Sequence, residues 1–222
     1  MIKKTTVLFI TILVSNFTSL NAQTTLRNDT DSLSYAIGVS VAQSIKAQNI
    51  QPDLDIMKAA IADVLNDSEL AIPAQLCGMY LQTYFQQAAE KVANENLKIG
   101  NDFLASNKTR EGVMETATGL QYEILNAGGG AKPLSTDKVK VHYHGTLIDG
   151  TVFDSSVERG SPATFGVTQV IKGWVEALQM MPVGSKWKLF IPADLAYGPR
   201  GQGKIGPNST LIFDVELLEI VQ

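Results

Sequence analysis

The sequence predicts an α+β protein: an all-helical N-terminal region with a long connecting helix, followed by a curved antiparallel β-sheet wrapped around one short helix. Three observations lead there. Up to about residue 107, glycines are sparse and apolar residues recur at helical spacing. Beyond residue 119, Gly, Pro and β-branched residues take over, and apolar positions alternate with polar ones. Within that β-rich half, Gly173–Met181 returns to helical periodicity, with Trp174, Leu178 and Met181 at i, i+4 and i+7. Of the 222 residues, 45% are hydrophobic and 18% charged, enough apolar material for packed cores and too little charge for global disorder. The expected divisions are residues 1–22, 23–108 and 109–222.

The first 22 residues read as a signal peptide. Lys3 and Lys4 supply a positive start, and Thr5–Val14 an apolar stretch of about ten residues, too short to span a bilayer. Cleavage is placed after Ala22, with Leu20 larger than the small residue usual at that position. The competing reading is an N-terminal membrane anchor. No cysteine lies near the segment, which excludes a lipidated N-terminal Cys, and the mature chain has no other apolar stretch long enough to cross a membrane. The net charge of −4 and the lack of later Lys/Arg runs argue against nucleic acid as a partner.

Three helices are legible next. Asp31 is the expected N-cap of the first, whose stripe is Leu33, Ile37, Val41 and Ile45, with Asn49 as terminator. Pro52 and Asp53 open the second, which presents Ile56, Met57, Ala60, Ile61, Val64 and Leu65 as its buried face and ends at Asn66–Ser68. The third begins near Pro73 and continues to about residue 106 through Leu76, Tyr80, Leu81, Tyr84, Phe85, Ala88 and Val92. At 1.5 Å per residue it spans about 50 Å, longer than a domain of this size is wide. The surplus apolar face of the three helices is expected to be buried in a homodimer through the N-terminal helices, since twofold pairs are the commonest assembly; folding back onto the C-terminal half is the alternative. Cys77, the single cysteine, is expected to be a small core residue.

In the C-terminal half, Gly119–Leu125 alternates moderately. Lys138–Ile148 places Val139, Val141 and Tyr143 on one face and Lys140, His142 and His144 on the other. Asp149-Gly150 is a two-residue hairpin signal. Lys186–Pro192 points Trp187, Leu189 and Ile191 inward, and Thr210–Ile220 does the same with Leu211, Phe213, Val215 and Leu217.

No nucleophile–base constellation is present. His142 and His144 share a strand face without a nearby Cys or acidic ligand, so they read as solvated positions and no metal is expected. Gly198–Lys204 matches the spacing of a phosphate-binding loop, but Ile205 stands where Ser or Thr would bind magnesium and Pro207-Asn208 starts no helix. It reads as a surface loop. What remains is a concentration of aromatic and aliphatic residues near turns: Tyr143, Phe153, Phe165, Val170, Ile171, Trp174, Tyr197, Ile205 and Phe213. Ordinary core is the plain reading. Asp154 complicates it, because a carboxylate beside Phe153 in a segment bound for burial needs partners.

At these residues the sequence resembles a known family. Val141-His-Tyr143-His-Gly145, Gly150-Thr-Val-Phe153-Asp154-Ser-Ser156, Val170-Ile171-Lys-Gly173-Trp174, Ala196-Tyr197-Gly198 and Leu211-Ile-Phe213-Asp-Val-Glu-Leu217 resemble the serial motifs of FKBP-type peptidyl-prolyl cis–trans isomerases over residues 113–222. Leu33-Ser-Tyr-Ala-Ile-Gly38 and the long third helix are similar to the dimerising region of the Mip-like subgroup. The resemblance implies a cofactor-free isomerase acting on proline-containing, unfolded or partly folded exported polypeptides, with FK506 and rapamycin as candidate macrolide ligands. It implies a periplasmic location in a Gram-negative bacterium, or secretion or outer-membrane association. It further implies that Trp174 floors a pocket walled by Tyr143, Phe153, Phe165, Val170, Ile171, Ile205 and Phe213, that the Tyr197 hydroxyl and Ile171 N–H donate to a bound prolyl segment, and that Asp154 sits at the rim. Ala163, Leu195 and Gln202-Gly203-Lys204 depart from small family members and bear on macrolide affinity and substrate preference. The alternative is a dimeric chaperone or proline-segment binding module with little catalysis. A fragment lacking residues 23–110 is expected to be monomeric and active.

Overall fold

A computed structural model describes residues 24–48 and 50–221. The segment expected to be a signal peptide, and Asn49, lie outside the described residues. The chain divides into two compact units after Ala71. The boundary expected at 108/109 therefore falls inside the second unit, because the end of the long helix packs against the sheet.

The first unit holds α1 (Asp29–Ala47) and α2 (Leu54–Leu65). α1 starts earlier than expected: Asn28 is the cap, its side-chain oxygen accepting from Asp31 N–H at 2.8 Å. Asp31 lies in the first turn, where a carboxylate suits the positive end of the helix dipole. The apolar stripe begins only at Leu33, so the first turn carries no periodic signal. Asp53 caps α2 as the sequence suggests, accepting from Asp55 and Ile56 N–H at 2.9 and 3.1 Å. The faces expected to be buried are not buried within one chain: neither helix has a buried residue, and Ile56, Ile61, Val64 and Leu65 are each more than half exposed. Two short helices cannot cover two apolar stripes wider than their mutual contact. They leave an apolar groove of about 740 Å³, lined by Ile37, Val41, Ile45, Leu54, Met57 and Ile61 among others.

The second unit begins with α3 (Ala74–Asn107), which follows Pro73 and runs for 34 residues. Leu76, Tyr80, Leu81 and Tyr84 on its first half are exposed. Cys77, expected in a core, is only half-buried, with Sγ 3.7 Å from the Pro73 carbonyl. The last turns of α3 behave differently. Gly100, Leu104 and Asn107 are buried, and the Phe103 ring lies 5.9 Å from that of Phe190. Asn107 Nδ2 donates to Gln121 Oε1 (2.9 Å), and Gln121 Nε2 donates to Leu104 O (3.0 Å).

Seven antiparallel strands follow: β1 (Val113–Glu115), β2 (Gln121–Asn126), β3 (Lys138–Leu147), β4 (Val152–Ser155), β5 (Ala163–Gly166), β6 (Lys186–Ile191) and β7 (Leu211–Val221). Their order is β1-β2-β6-β7-β3-β4, with β5 pairing the first half of β3 and β4 the second half. β1 and β5 are too short to show alternation in sequence. The β3–β4 hairpin turns at Asp149-Gly150 as predicted, Asp149 Oδ1 accepting from Thr151 N–H at 2.9 Å. Helix α4 (Lys172–Met180) packs its Trp174, Ala177 and Leu178 into one core with Val139, Val141, Leu189, Leu211, Val215 and Leu217. The period-2 pattern of β3, β6 and β7 thus directs one sheet face at α4, while Gln121 and Phe190 on the other face meet the end of α3. Among the described residues, no helix is long and apolar enough to cross a membrane.

Candidate functional site

A cavity of about 390 Å³ opens between α4, the central strands and the loop that precedes β7. Trp174, in the first turn of α4, is the residue on which the aromatic cluster converges. Its ring makes edge contacts with Tyr143 (5.4 Å, 85°), Phe165 (6.0 Å, 90°) and Phe213 (5.2 Å, 76°). Phe153 adds an edge contact to Phe213 at 5.3 Å. Such T-shaped pairs set the positive edge of one ring against the negative face of another, which fixes ring orientations as well as filling space. Trp174 Nε1 is buried and has no hydrogen-bond partner among the described residues.

The ten residues singled out in the sequence all line this one cavity. β3 supplies Tyr143, β4 Phe153 and Asp154, β5 Phe165, and β7 Phe213. Val170 and Ile171 come from the turn entering α4, Trp174 from α4 itself, and Tyr197 and Ile205 from the loop before β7. Ala163 and Leu195 are half-buried beside the core and do not line it. The 198–204 stretch forms a 3₁₀ turn and then a reverse turn joining Gln202 and Ile205.

The strand register explains why Phe153 and Phe213 can meet over β3. Gly145 pairs with both Asp154 and Phe213, and a Cβ on it would lie 2.7–2.8 Å from the two rings. Only a residue without a side chain leaves that space to the aromatics. Gly145 is therefore a shaping residue.

Asp154 has the partners that its burial requires. The Tyr143 hydroxyl donates to Asp154 Oδ2 at 2.5 Å, and Arg159 Nη1 donates to Asp154 Oδ1. Arg159 Nη2 also donates to the Tyr143 oxygen at 2.7 Å, and the guanidinium lies over the Tyr143 ring at 5.5 Å. Burial pushes the Asp154 carboxyl upward, but the hydrogen bonds from Tyr143 and Arg159 and the Arg159 charge outweigh it and hold the group below the ordinary carboxylate value. Burial, then the bond to Asp154, raises the Tyr143 hydroxyl. Arg159 was not singled out in the sequence. The signal was Asp154 itself, a semi-buried anion followed five residues later by an arginine. Ser156 locks the segment in place: its Oγ accepts from Tyr143 N–H at 2.8 Å, and its N–H donates to Tyr143 O at 3.0 Å.

His142 and His144, expected to be solvated, are half-buried, with Nδ1 atoms 3.1 and 3.0 Å from Ser156 Oγ and Ser155 Oγ. Each thus braces the turn that follows Asp154. In the same cavity, burial and then the negative charge of Asp154 raise the Tyr197 hydroxyl, which stays protonated as a donor. Among the described residues, neither that hydroxyl nor the Ile171 N–H has a hydrogen-bond partner. The arrangement is a semi-enclosed aromatic cleft with two free donors and one fixed carboxylate. Aromatic walls beside donors and a fixed carboxylate suit holding an apolar ligand while orienting its polar groups.

Comparison with known proteins agrees with that geometry. A family model described as "FKBP-type peptidyl-prolyl cis-trans isomerase" matches residues 129–218, and one described as "Domain amino terminal to FKBP-type peptidyl-prolyl isomerase" matches residues 30–124. The chain is 46% identical over 205 residues to "Outer membrane protein MIP" of Legionella longbeachae, covering 89% of this chain and 88% of that protein. It is 47% identical over 194 residues to the "FKBP-type 22 kDa peptidyl-prolyl cis-trans isomerase" of Escherichia coli K12, covering 85% and 94%. The crystal structure of FkpA from Escherichia coli aligns with a TM-score of 0.71 at 37% identity, over 88% of this chain and 98% of that one.

Proposed function

The chain belongs to the FKBP-type peptidyl-prolyl cis–trans isomerases, and from that premise we propose that its aromatic cleft takes the pyrrolidine ring of an X-Pro segment over Trp174 and lowers the barrier to rotation about the preceding amide. The observation that carries this reading is the convergence of Tyr143, Phe153, Phe165, Trp174 and Phe213 on one opening, beside a fixed carboxylate.

The uncatalysed barrier is about 18–20 kcal/mol because resonance holds the amide planar, and X-Pro exchange takes tens to hundreds of seconds. Twisting the bond breaks the resonance and reduces charge separation between nitrogen and oxygen. An aromatic cleft that excludes water therefore raises the planar, more polar state relative to the twisted one. Tyr197 Oη–H and Ile171 N–H are free to hold the segment's carbonyls, so that rotation occurs in a clamped ligand. Asp154 lies at the rim with its charge fixed by Tyr143 and Arg159, where it can interact with the dipole of the rotating amide. A 10⁵-fold acceleration needs only about 7 kcal/mol of such preference for the twisted state.

The substrates in this reading are unfolded or partly folded proline-containing chains outside the cytoplasm. The positive-then-apolar start, Lys3 to Val14, supports export, and the named relative from Legionella longbeachae is an outer membrane protein. The exposed apolar groove of α1 and α2 supports a homodimer through the N-terminal helices, since an apolar surface of that extent needs a cover. In the alternative reading the dimer holds unfolded clients and the cleft binds prolyl segments with little catalysis. A protease-coupled prolyl-peptide assay with and without FK506 or rapamycin tests the main reading: catalysis suppressed by the macrolide supports it. No acceleration by the wild-type protein refutes it.

A further inference from the structure

We propose that Asn96 on α3 and Asn208 in the loop before β7 are positioning residues that fasten the Ile205 wall of the cleft to the long helix, so that α3 sets how tightly the cleft holds its substrate. This rests on the reading of the cleft as the prolyl site.

The wall in question is built from Gln202, Gly203, Lys204 and Ile205. Ile205 is buried, whereas its three predecessors are exposed, so the tip has one apolar anchor of its own. Its internal bonds are local: Gln202 N–H to Ile205 O (2.8 Å), Ile205 N–H to Gln202 O (2.9 Å), and Asn208 N–H to Gly198 O (2.8 Å). These give the loop a shape but do not tie it to a rigid element. Two side-chain amides do that. Asn96 Nδ2 donates to Pro207 O at 2.8 Å, and Asn208 Nδ2 donates to Ala93 O at 3.3 Å. The two bonds cross in opposite directions between helix and loop, one donor on each side.

The backbone at Asn208 strengthens the inference. It has φ +52°, a left-handed conformation in which glycine is less strained than any other residue. Asparagine is among the few side chains that tolerate it, and here the side chain is engaged with the helix. Just beyond, Gly100 of α3 lies against buried Thr210, where a Cβ would collide with the threonine side chain. Helix and loop are thus in close contact on both sides of the Asn96–Pro207 bond, and Ile205 is two residues from it.

The test compares the full-length wild type with Asn96→Ala, Asn96→Asp, Asn208→Gly and the Asn96→Ala/Asn208→Gly pair. Alanine is a better helix former than asparagine, and glycine accepts the φ of Asn208, so neither change strains the backbone; aspartate keeps the shape of Asn96 but loses its donor. Prolyl-peptide kinetics should show KM raised about 3- to 10-fold per lost bond, with kcat within about twofold of wild type. Amide exchange should accelerate over residues 202–206 and stay unchanged in β3 and β7. Unchanged KM and loop exchange in an active wild-type background would overturn the proposal, as would a fall in kcat at constant KM with a lower melting temperature, the mark of general destabilisation. If the wild type itself fails to isomerise the peptide, the reading of the cleft falls instead.

Discussion

The Tyr143 hydroxyl donates a 2.5 Å hydrogen bond to Asp154, joining the middle of β3 to the carboxylate at the rim of the cleft. Arg159 bridges both groups, so phenol, carboxylate and guanidinium form a closed ring of three. The ring fixes a charge beside an aromatic surface without removing it from water, and Asp154 stays ionised at neutral pH.

That arrangement has a pH signature. The folded state holds the Asp154 carboxyl below its unfolded value, despite an upward push from burial, through the bonds from Tyr143 and Arg159. The stabilisation is present above the unfolded pKa and disappears as pH falls through the folded one. Activity attributable to Asp154 should therefore be level across neutral pH and fail only in acid. Arg159→Ala should move that acid limb upward, toward the ordinary carboxylate value, and a pH profile of kcat/KM for the two proteins checks it.

Gly145→Ala should damage the cleft without touching any polar group. The new methyl would meet Phe153 and Phe213 at 2.7–2.8 Å, so the rings must move. Overpacking of this kind costs about 1–3 kcal/mol, and kcat/KM should fall about tenfold for each 1.4 kcal/mol of lost transition-state stabilisation. Thermal unfolding and peptide kinetics on the same sample measure both.

Gln121→Leu should destabilise the protein while sparing the chemistry. Gln121 is buried, accepts from Asn107 and donates to Leu104 O and Glu115 Oε1. Its removal strands Asn107 and costs about 1–3 kcal/mol. Urea unfolding should show the loss, with kcat/KM at a permissive temperature close to wild type.

The place to cut the chain also changes. A fragment starting after residue 110, the choice the sequence suggests, loses Phe103, Leu104 and Asn107 and uncovers Phe190 and Gln121. A fragment starting near residue 89 keeps the docked end of α3 and should be the more stable of the two, active and monomeric. Sedimentation and melting of both fragments decide it.

Much of this was legible in the sequence because it is local. Alternation in β3, β6 and β7 and the i, i+4, i+7 spacing in α4 reveal which faces are buried, and serial motifs hold eight of the ten residues singled out for the cleft, Phe165 and Ile205 standing outside them. What escaped depends on contacts far apart in the chain or on elements too short to repeat. β1 and β5 hold three and four residues. The Asn96–Pro207 bond spans 111 residues. The apolar faces of α1 and α2 were expected to be buried, and periodicity locates such a face correctly without saying what covers it. The cap of α1 was misplaced because Asn28, Asp29, Thr30 and Asp31 are all competent cap or first-turn residues.

The central claim is that the aromatic cleft rotates prolyl amides, and exchange NMR on an X-Pro peptide with a catalytic amount of protein tests it most directly. Cis–trans cross-peaks should appear with the wild type, weaken as a macrolide fills the cleft, and be lost with Phe153→Ala or Asp154→Ala while both variants remain folded. Wild-type exchange no faster than in the peptide alone, or full exchange in both variants, would contradict the account.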